Sequence, residues 1–298
     1  MSAVGPDATG TAGTGGTATA APGVRRVAAL LEYDGTEFAG WQSQAHAAGL
    51  QDAVERALTF VAGAPVSAIC AGRTDAGVHA IGQVVHFDTE AQRTPRAWVL
   101  GANTRLPTTI ALQWAGEVAS EFHARHSAVR RTYRYYILNS SARSALQRLR
   151  SAWIPRALDA DAMHRAAQML LGELDFSAFR SVECQSKSCK RRVERIDVRR
   201  DGEWVWMEIT ANAYLHHMVR NIVGTLVDAQ QEADPEGSMR RILESRDRRL
   251  AGPTAPACGL YLWRVDYPPH FGIPAPPTPF LLNSHGLLMN NHIGRASA

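Results

Sequence analysis

The chain has 298 residues, 45% of them hydrophobic, which is enough for one large core or two ordinary ones and excludes a chain too polar to fold. Its 32 basic and 28 acidic residues leave a net charge of +4, and all the bases but Lys187 and Lys190 are arginine, whose planar fork grips phosphate bidentately, so a polyanionic partner is favoured. Four cysteines without paired spacing exclude a disulfide framework and read as reduced thiols, and no apolar run approaches the roughly 18 residues of a spanning helix, so a cytoplasmic protein is expected.

Residues 1–23 are mostly Ala, Gly, Thr and Pro. They bury too little apolar surface to offset the entropy of ordering and are predicted to be a disordered extension, neither signal peptide nor anchor. Val24 to Tyr33 reads as the first strand. It ends in a turn, Tyr33-Asp34-Gly35-Thr36, and an aromatic corner with Phe38 and Trp41. Gly49 to Gly63 is predicted as an amphipathic helix, with Leu50, Val54, Ala57, Leu58 and Val61 at helical spacing and a glycine stop. Val66 to Cys70 and Gly82 to Phe87 read as strands flanking a loop, Ala71 to Ala80. Trp98 to Asn103 reads as a helix and Ile110 to Val118 as a strand.

The second half repeats that order. Thr132 to Leu138 is a predicted strand, and Asp159 to Leu171 a helix with Asp159 as N-cap and Gly172 as stop. Val193 to Arg199 and Glu203 to Ala211 form a hairpin across Asp201-Gly202. Leu215 to Gln230 and Met239 to Glu244 are helical, and Gly259 to Val265 is the last strand. The order predicts an α+β fold of two ferredoxin-like β-α-β-β-α-β halves, residues 24–126 and 127–270, whose sheets meet around a cleft. From about Phe271 a Pro-rich run reads as a strap, followed by a disordered tail to residue 298.

The loop Ala71-Gly72-Arg73-Thr74-Asp75-Ala76-Gly77-Val78-His79-Ala80 concentrates the chemistry. Asp75 sits on a tight turn between two strands, Gly72 and Gly77 free the backbone, and Arg73 brings a fixed charge within reach of a carboxylate or a phosphate. Composition alone also allows Asp75 a purely structural Asx-turn. His216 and His217 lack the His-Glu-x-x-His spacing, and the only nearby carboxylate in sequence, Asp228, is three turns away, so no metal is expected. No Walker loop, dinucleotide fingerprint or nucleophilic Ser or Cys motif occurs, so no cofactor is expected.

Five spaced strings resemble the tRNA pseudouridine synthase A family. They are Tyr33-Asp34-Gly35-Thr36 with Phe38, Gly40, Trp41, Gln42 and Gln44; the Asp75 loop with Gly82-Gln83-Val84-Val85-His86-Phe87; Phe122-His123-Ala124-Arg125 with Arg131-Thr132-Tyr133-Arg134-Tyr135; Ala211 to Gly224; and Gly259-Leu260-Tyr261-Leu262. The resemblance implies a homodimer that isomerises uridines on the 3′ side of the tRNA anticodon stem-loop, at tRNA positions 38, 39 and 40, without a cofactor. It implies that Asp75 initiates glycosidic cleavage, that Arg220 pairs with it and Arg73 supports it, and that Tyr133 and Leu260 cradle a flipped-out base. Arg125, Arg131, Lys190, Arg191, Arg192, His216 and His217 are the candidates for holding RNA. The segment Ser181 to Arg192 reads either as an element that closes over RNA or as the approach to a hairpin. One departure is Tyr214, where the family commonly has phenylalanine; its extra hydroxyl is expected to be harmless at a solvated ring edge. A non-catalytic RNA-binding protein on the same fold would keep the arginines without needing Asp75, and a glycosidic hydrolase would need a second carboxylate opposite the first.

Overall fold

The computed structural model describes residues 23–44, 46–184 and 186–277; the disorder expected for residues 1–23, apart from Gly23, and for the C-terminal tail lies outside them. The first half runs β1 (Arg25–Tyr33), α1 (Leu50–Ala62), β2 (Ile69–Cys70), β3 (His79–Thr89), α2 (Pro95–Asn103) and β4 (Ile110–Val118). The second runs β5 (Arg130–Leu138), β6 (Ala152–Trp153), α3 (Ala160–Gln168), β7 (Gly172–Asp175), β8 (Lys190–Asp201), β9 (Trp204–Ala211), α4 (Met218–Ala229), α5 (Pro235–Ser245) and β10 (Leu260–Asp266).

The strands lie in the order β4-β1-β3-β10-β5-β9-β8-β7, with β2 on β3 and β6 on β5. Each half therefore builds the same pattern: β4-β1-β3-β2 in the first is matched by β10-β5-β9-β8 in the second, the fourth, first, third and second strands of a split β-α-β unit. The half-sheets meet edge to edge where β10 runs parallel to β3, Tyr261 opposite His79 and Leu262 opposite Ala80. β2 pairs with the same strand further along, Ile69 opposite His86 and Cys70 opposite Val85, and is only two residues long, so most of the expected Val66 to Cys70 strand is irregular. β6 and β7, which periodicity does not reveal, are two and four residues long and extend the second half-sheet.

Local chemistry explains the helix ends. Asp159 accepts from the Asp161 and Ala162 amides at 3.0 and 2.9 Å, capping α3, while Thr94 caps α2 and Asp234 caps α5. α4 starts at Met218 rather than Leu215 because His217 adopts the left-handed conformation, φ 61°, and turns the chain just before the helix. One apolar core spans both halves and includes residues of every helix. Ile81, Tyr136, Trp206, Tyr261 and Trp263 form a separate cluster, with the Arg134 guanidinium 3.8 Å above the Trp263 ring, and Pro276 of the Pro-rich run lies against Gly82. Among the described residues no helix is long and apolar enough to cross a membrane.

Candidate active site

The Asp75 loop joins β2 to β3 and is held chiefly through its main chain. The Ala71 amide donates to Val84 O at 2.8 Å, and the Gln83 amide group donates to Gly72 O at 2.6 Å. The aromatic corner after β1 forms the opposite wall. The Trp41 amide donates to Thr74 O at 2.9 Å, and the Tyr33 and Thr74 hydroxyls are 2.8 Å apart. Gly40 takes φ 99°, and a Cβ there would stand 2.7 Å from Thr74 O and 3.2 Å from the Asp75 carbonyl carbon. Only glycine lets the two segments approach this closely.

His79 closes the loop. Its Nδ1 accepts from the Gly35 amide at 3.1 Å and its Nε2 lies 3.0 Å from Leu149 O, an arrangement that suits the neutral ring with the proton on Nε2. Burial pushes its pKa below the ordinary histidine value, against the pull of Asp34.

The opposite side of the site comes from the start of α4. Arg220 Nη1 lies 3.3 Å from Asp75 Oδ2, His217 Nε2 lies 3.3 Å from the same oxygen, and His216 Nε2 lies 3.4 Å from Oδ1. The left-handed turn at His217 makes this possible by presenting two consecutive imidazoles on one side, their centroids 4.0 Å apart. Burial lowers the pKa of His217, and the negative charge of Asp75 opposes that shift. Arg220 is aimed by its Nε, which donates to Ala255 O at 2.7 Å, while the Ala255 amide donates back to Arg220 O at 3.1 Å.

Behind Arg220 sits a polar cluster. The fully buried Asn221 accepts from Thr254 Oγ1 at 2.7 Å and from Arg248 Nη2 at 3.1 Å, and the other arm of Arg248 donates to Ala251 O and Gly252 O. These bonds pin residues 251–255 against α4.

Tyr133 on β5 is 8% exposed, its ring edge-on to Tyr214 at 4.9 Å and its hydroxyl beside Gly72. Burial raises its pKa well above the ordinary tyrosine value and Asp75 adds to the effect, so the hydroxyl stays protonated at neutral pH and can donate but not act as a base. Leu260 opens β10 in register with Tyr135, whose hydroxyl donates to Pro256 O at 2.7 Å.

The remaining expected site residues divide sharply. Arg73, Arg125, Lys190 and Arg192 are exposed. Arg131 is not a surface group: it is 9% exposed, and its guanidinium donates to Ala71 O, Arg125 O and Asn212 O, bracing the Asp75 loop against the second half. Arg191 is half-buried and turned back on Ser186 and Ser188. Lys190 to Arg192 belong to β8 and pair with β7, the hairpin alternative for that segment. Nor is the Tyr214 ring edge solvated, because its hydroxyl donates to Ile209 O at 2.9 Å and lies 3.1 Å from Arg131 O.

Sequence reasoning passed over Gln83, Asn221, Thr254 and Arg248. The available signal for the first two was a polar residue inside an otherwise apolar strand or helix; no pattern marks Thr254, in irregular chain, or Arg248, in a single 3-10 turn.

A carboxylate set between a fixed guanidinium and two imidazoles, beside a flat aromatic wall, is equipment for nucleophilic or base catalysis on a planar substrate. Known proteins narrow this. The family model for tRNA pseudouridine synthase matches residues 29–127 and 166–268. The tRNA pseudouridine synthase A of Paraburkholderia xenovorans strain LB400 is 50% identical over 255 residues, 86% of this chain and 94% of that protein. The proteins of the same name from Escherichia fergusonii and from Escherichia coli strain SMS-3-5 are 50% and 49% identical over 256 residues, 86% of this chain and 95% of theirs. The chain belongs to the tRNA pseudouridine synthase family.

Proposed function

We propose that this protein isomerises uridine to pseudouridine in the anticodon stem-loop of tRNA, with Asp75 as the group that initiates glycosidic cleavage. The bond from ribose C1′ to uracil N1 breaks, the uracil turns within the pocket, C1′ bonds to C5, the hydrogen on C5 leaves as a proton, and N1 takes up a proton in its place. Atoms and electrons balance without a redox partner. The observation that carries this reading is the convergence of Arg220, His216 and His217 on the Asp75 carboxylate within 3.3 to 3.4 Å.

Each neighbour has a part. Arg220 supplies a fixed counter-charge, which matters most once RNA excludes water from the site. Tyr133 offers a flat wall to a flipped-out base and a protonated hydroxyl, and Leu260 backs the pocket from β10. The exposed Arg73, Arg125, Lys190 and Arg192 are free to grip phosphates and set register. The working unit is a cytoplasmic homodimer in which one tRNA touches both subunits.

The test is tritium release from tRNA transcripts labelled at uracil C5, with wild type beside Asp75→Asn. Rejoining at C5 must expel that hydrogen. Release by wild type, a fall of about a thousandfold or more in the variant, and equal tRNA binding by both are the expected results. If wild type binds tRNA and releases no tritium, the protein only binds RNA; if it releases free uracil, it is a hydrolase.

A further inference from the structure

We propose that Asp75, His216 and His217 form a binding site for a borderline divalent cation of the Zn2+ class, and that this cation inhibits the enzyme by occupying the carboxylate. The binding half stands on geometry alone; the inhibitory half rests on the catalytic role proposed for Asp75.

Spacing along the chain offered the two histidines only Asp228, but the fold brings them Asp75 from the other half. One ligand atom from each of the three groups lies within 4.8 Å of the other two. The Nε2 to carboxylate-oxygen separations are 3.4 Å for His216 and 3.3 Å for His217. Charge-assisted hydrogen bonds between such atoms run to about 2.7–2.9 Å. Tetrahedral zinc with bonds of about 2.0–2.1 Å, by contrast, sets its ligands roughly 3.3–3.4 Å apart. Each imidazole therefore stands at about the edge length of a metal tetrahedron from a carboxylate oxygen, His216 from Oδ1 and His217 from Oδ2, and a cation held by a single oxygen needs only a small turn of the carboxylate.

Two imidazoles and one carboxylate, with the fourth position left to water, are a donor set for zinc and its neighbours. Magnesium and calcium prefer six or more oxygens and are disfavoured here. Arg220 Nη1 stands 3.3 Å from Oδ2, the oxygen nearest His217, and is tethered to Ala255 O, so it lowers affinity by repulsion and leaves Oδ1, nearest His216, as the oxygen for the cation. The competing soft ligands are the partly buried thiols of Cys184 and Cys189. They lie in the segment that begins at Ser181, whose amide donates to His216 O at 2.9 Å.

The experiment uses full-length protein stripped with a chelator and titrated with Zn2+ against a chromophoric zinc indicator. Co2+ serves as a second probe, its visible absorption reporting coordination geometry. Wild type should take up one equivalent that excess Mg2+ does not displace, with the intense bands of tetrahedral Co2+. Asp75→Asn, His216→Gln and His217→Asn should each weaken binding at least tenfold; asparagine tolerates the left-handed turn at 217, so this variant keeps the backbone. The double variant Cys184→Ser/Cys189→Ser should bind as wild type does. Unchanged binding in either histidine variant, loss of binding in the serine variant, or six-coordinate Co2+ spectra would overturn the site. In the tritium assay, Zn2+ should raise the apparent KM for tRNA and excess chelator should restore it. Binding without any effect on turnover would overturn the inhibitory half. A zinc-free enzyme that releases no tritium would instead overturn the proposed function and leave the binding result standing.

Discussion

The two halves contribute to one site by different means. The first half holds Asp75 through main-chain contacts: Trp41 to Thr74, Ala71 to Val84, and the close approach of Gly40. The second half holds Arg220 through side chains, with Asn221, Arg248 and Thr254 pinning the segment whose Ala255 carbonyl aims the guanidinium. Backbone-to-backbone packing has no spare rotamer to absorb an added atom, whereas a side-chain network loses its members one bond at a time. Substitutions in the first half should therefore act abruptly and those in the second half by degrees.

The severest break should come at Gly40. In Gly40→Ala the new methyl meets Thr74 O at 2.7 Å in a backbone conformation that L residues rarely adopt. A stability loss of about 2–4 kcal/mol is expected from strain and displacement together. Displacing Thr74 also moves Asp75, so turnover should fall more than tenfold while the Kd for tRNA stays near the wild-type value. Urea denaturation and single-turnover kinetics would check both; a variant as stable and active as wild type would remove the argument for a main-chain brace.

The first half also carries an acid-sensitive group. His86 on β3 is 3% exposed and accepts from the Ala124 amide at 3.1 Å; burial, with the nearby His123 second, pushes its pKa down to about 4 from 6.5. Across that window the unfolded chain binds the proton and the folded chain does not. Stability is thus fully present above about pH 6.5 and is lost as pH falls toward 4, by about 2 kcal/mol near pH 5. Urea midpoints at about pH 7.5 and about pH 5 should show a smaller difference in His86→Asn than in wild type. Some slope should persist, because His79 is depressed in the same direction. Equal slopes in both proteins would refute the assignment.

How legible all this was in the sequence follows the same division. The elements read from periodicity are present: Ile110–Val118 has the predicted bounds, the Asp201-Gly202 turn joins β8 to β9, and Asp159 caps α3. These depend on neighbours in sequence. The Asp75 and Arg220 pair was legible only through motif resemblance, since 145 residues separate them. Arg131 was misread because an arginine in a basic string looks the same whether its fork meets phosphate or buried carbonyls. The left-handed turn at His217 carries no glycine to announce it, so α4 was expected three residues early. The joining of the two half-sheets through β10 and β3 rests on only two residue pairs, too little to leave a periodic trace.

Arg248 tests the side-chain half of the comparison. Arg248→Ala strips donors from Asn221 Oδ1, Thr254 Oγ1 and the Ala251 and Gly252 carbonyls. Water can reach part of this loop, so the expected loss is about 1–2 kcal/mol. Because residues 251–255 aim Arg220, kcat should drop several-fold with KM for tRNA nearly unchanged. Arg248→Lys should not rescue it, since one ammonium cannot span four acceptors held by a planar fork. A variant that loses stability but keeps kcat would make Arg248 a structural residue only.

The smallest effect is expected at Tyr214, and it corrects the assumption that its hydroxyl is idle. The group donates to Ile209 O and lies 3.1 Å from Arg131 O, so it ties the loop before α4 to β9 and β5. Tyr214→Phe removes one hydrogen bond without opening a cavity, and both carbonyls lie on strands paired on two sides, so the loss should be about 1 kcal/mol. The ring stays edge-on to Tyr133, and the pocket wall should be preserved. Turnover within twofold of wild type, with a small drop in urea midpoint, is the expected result. A large fall in kcat would mean that Tyr214 positions Tyr133 through its hydroxyl rather than its ring. The second half of the site would then be as unforgiving as the first.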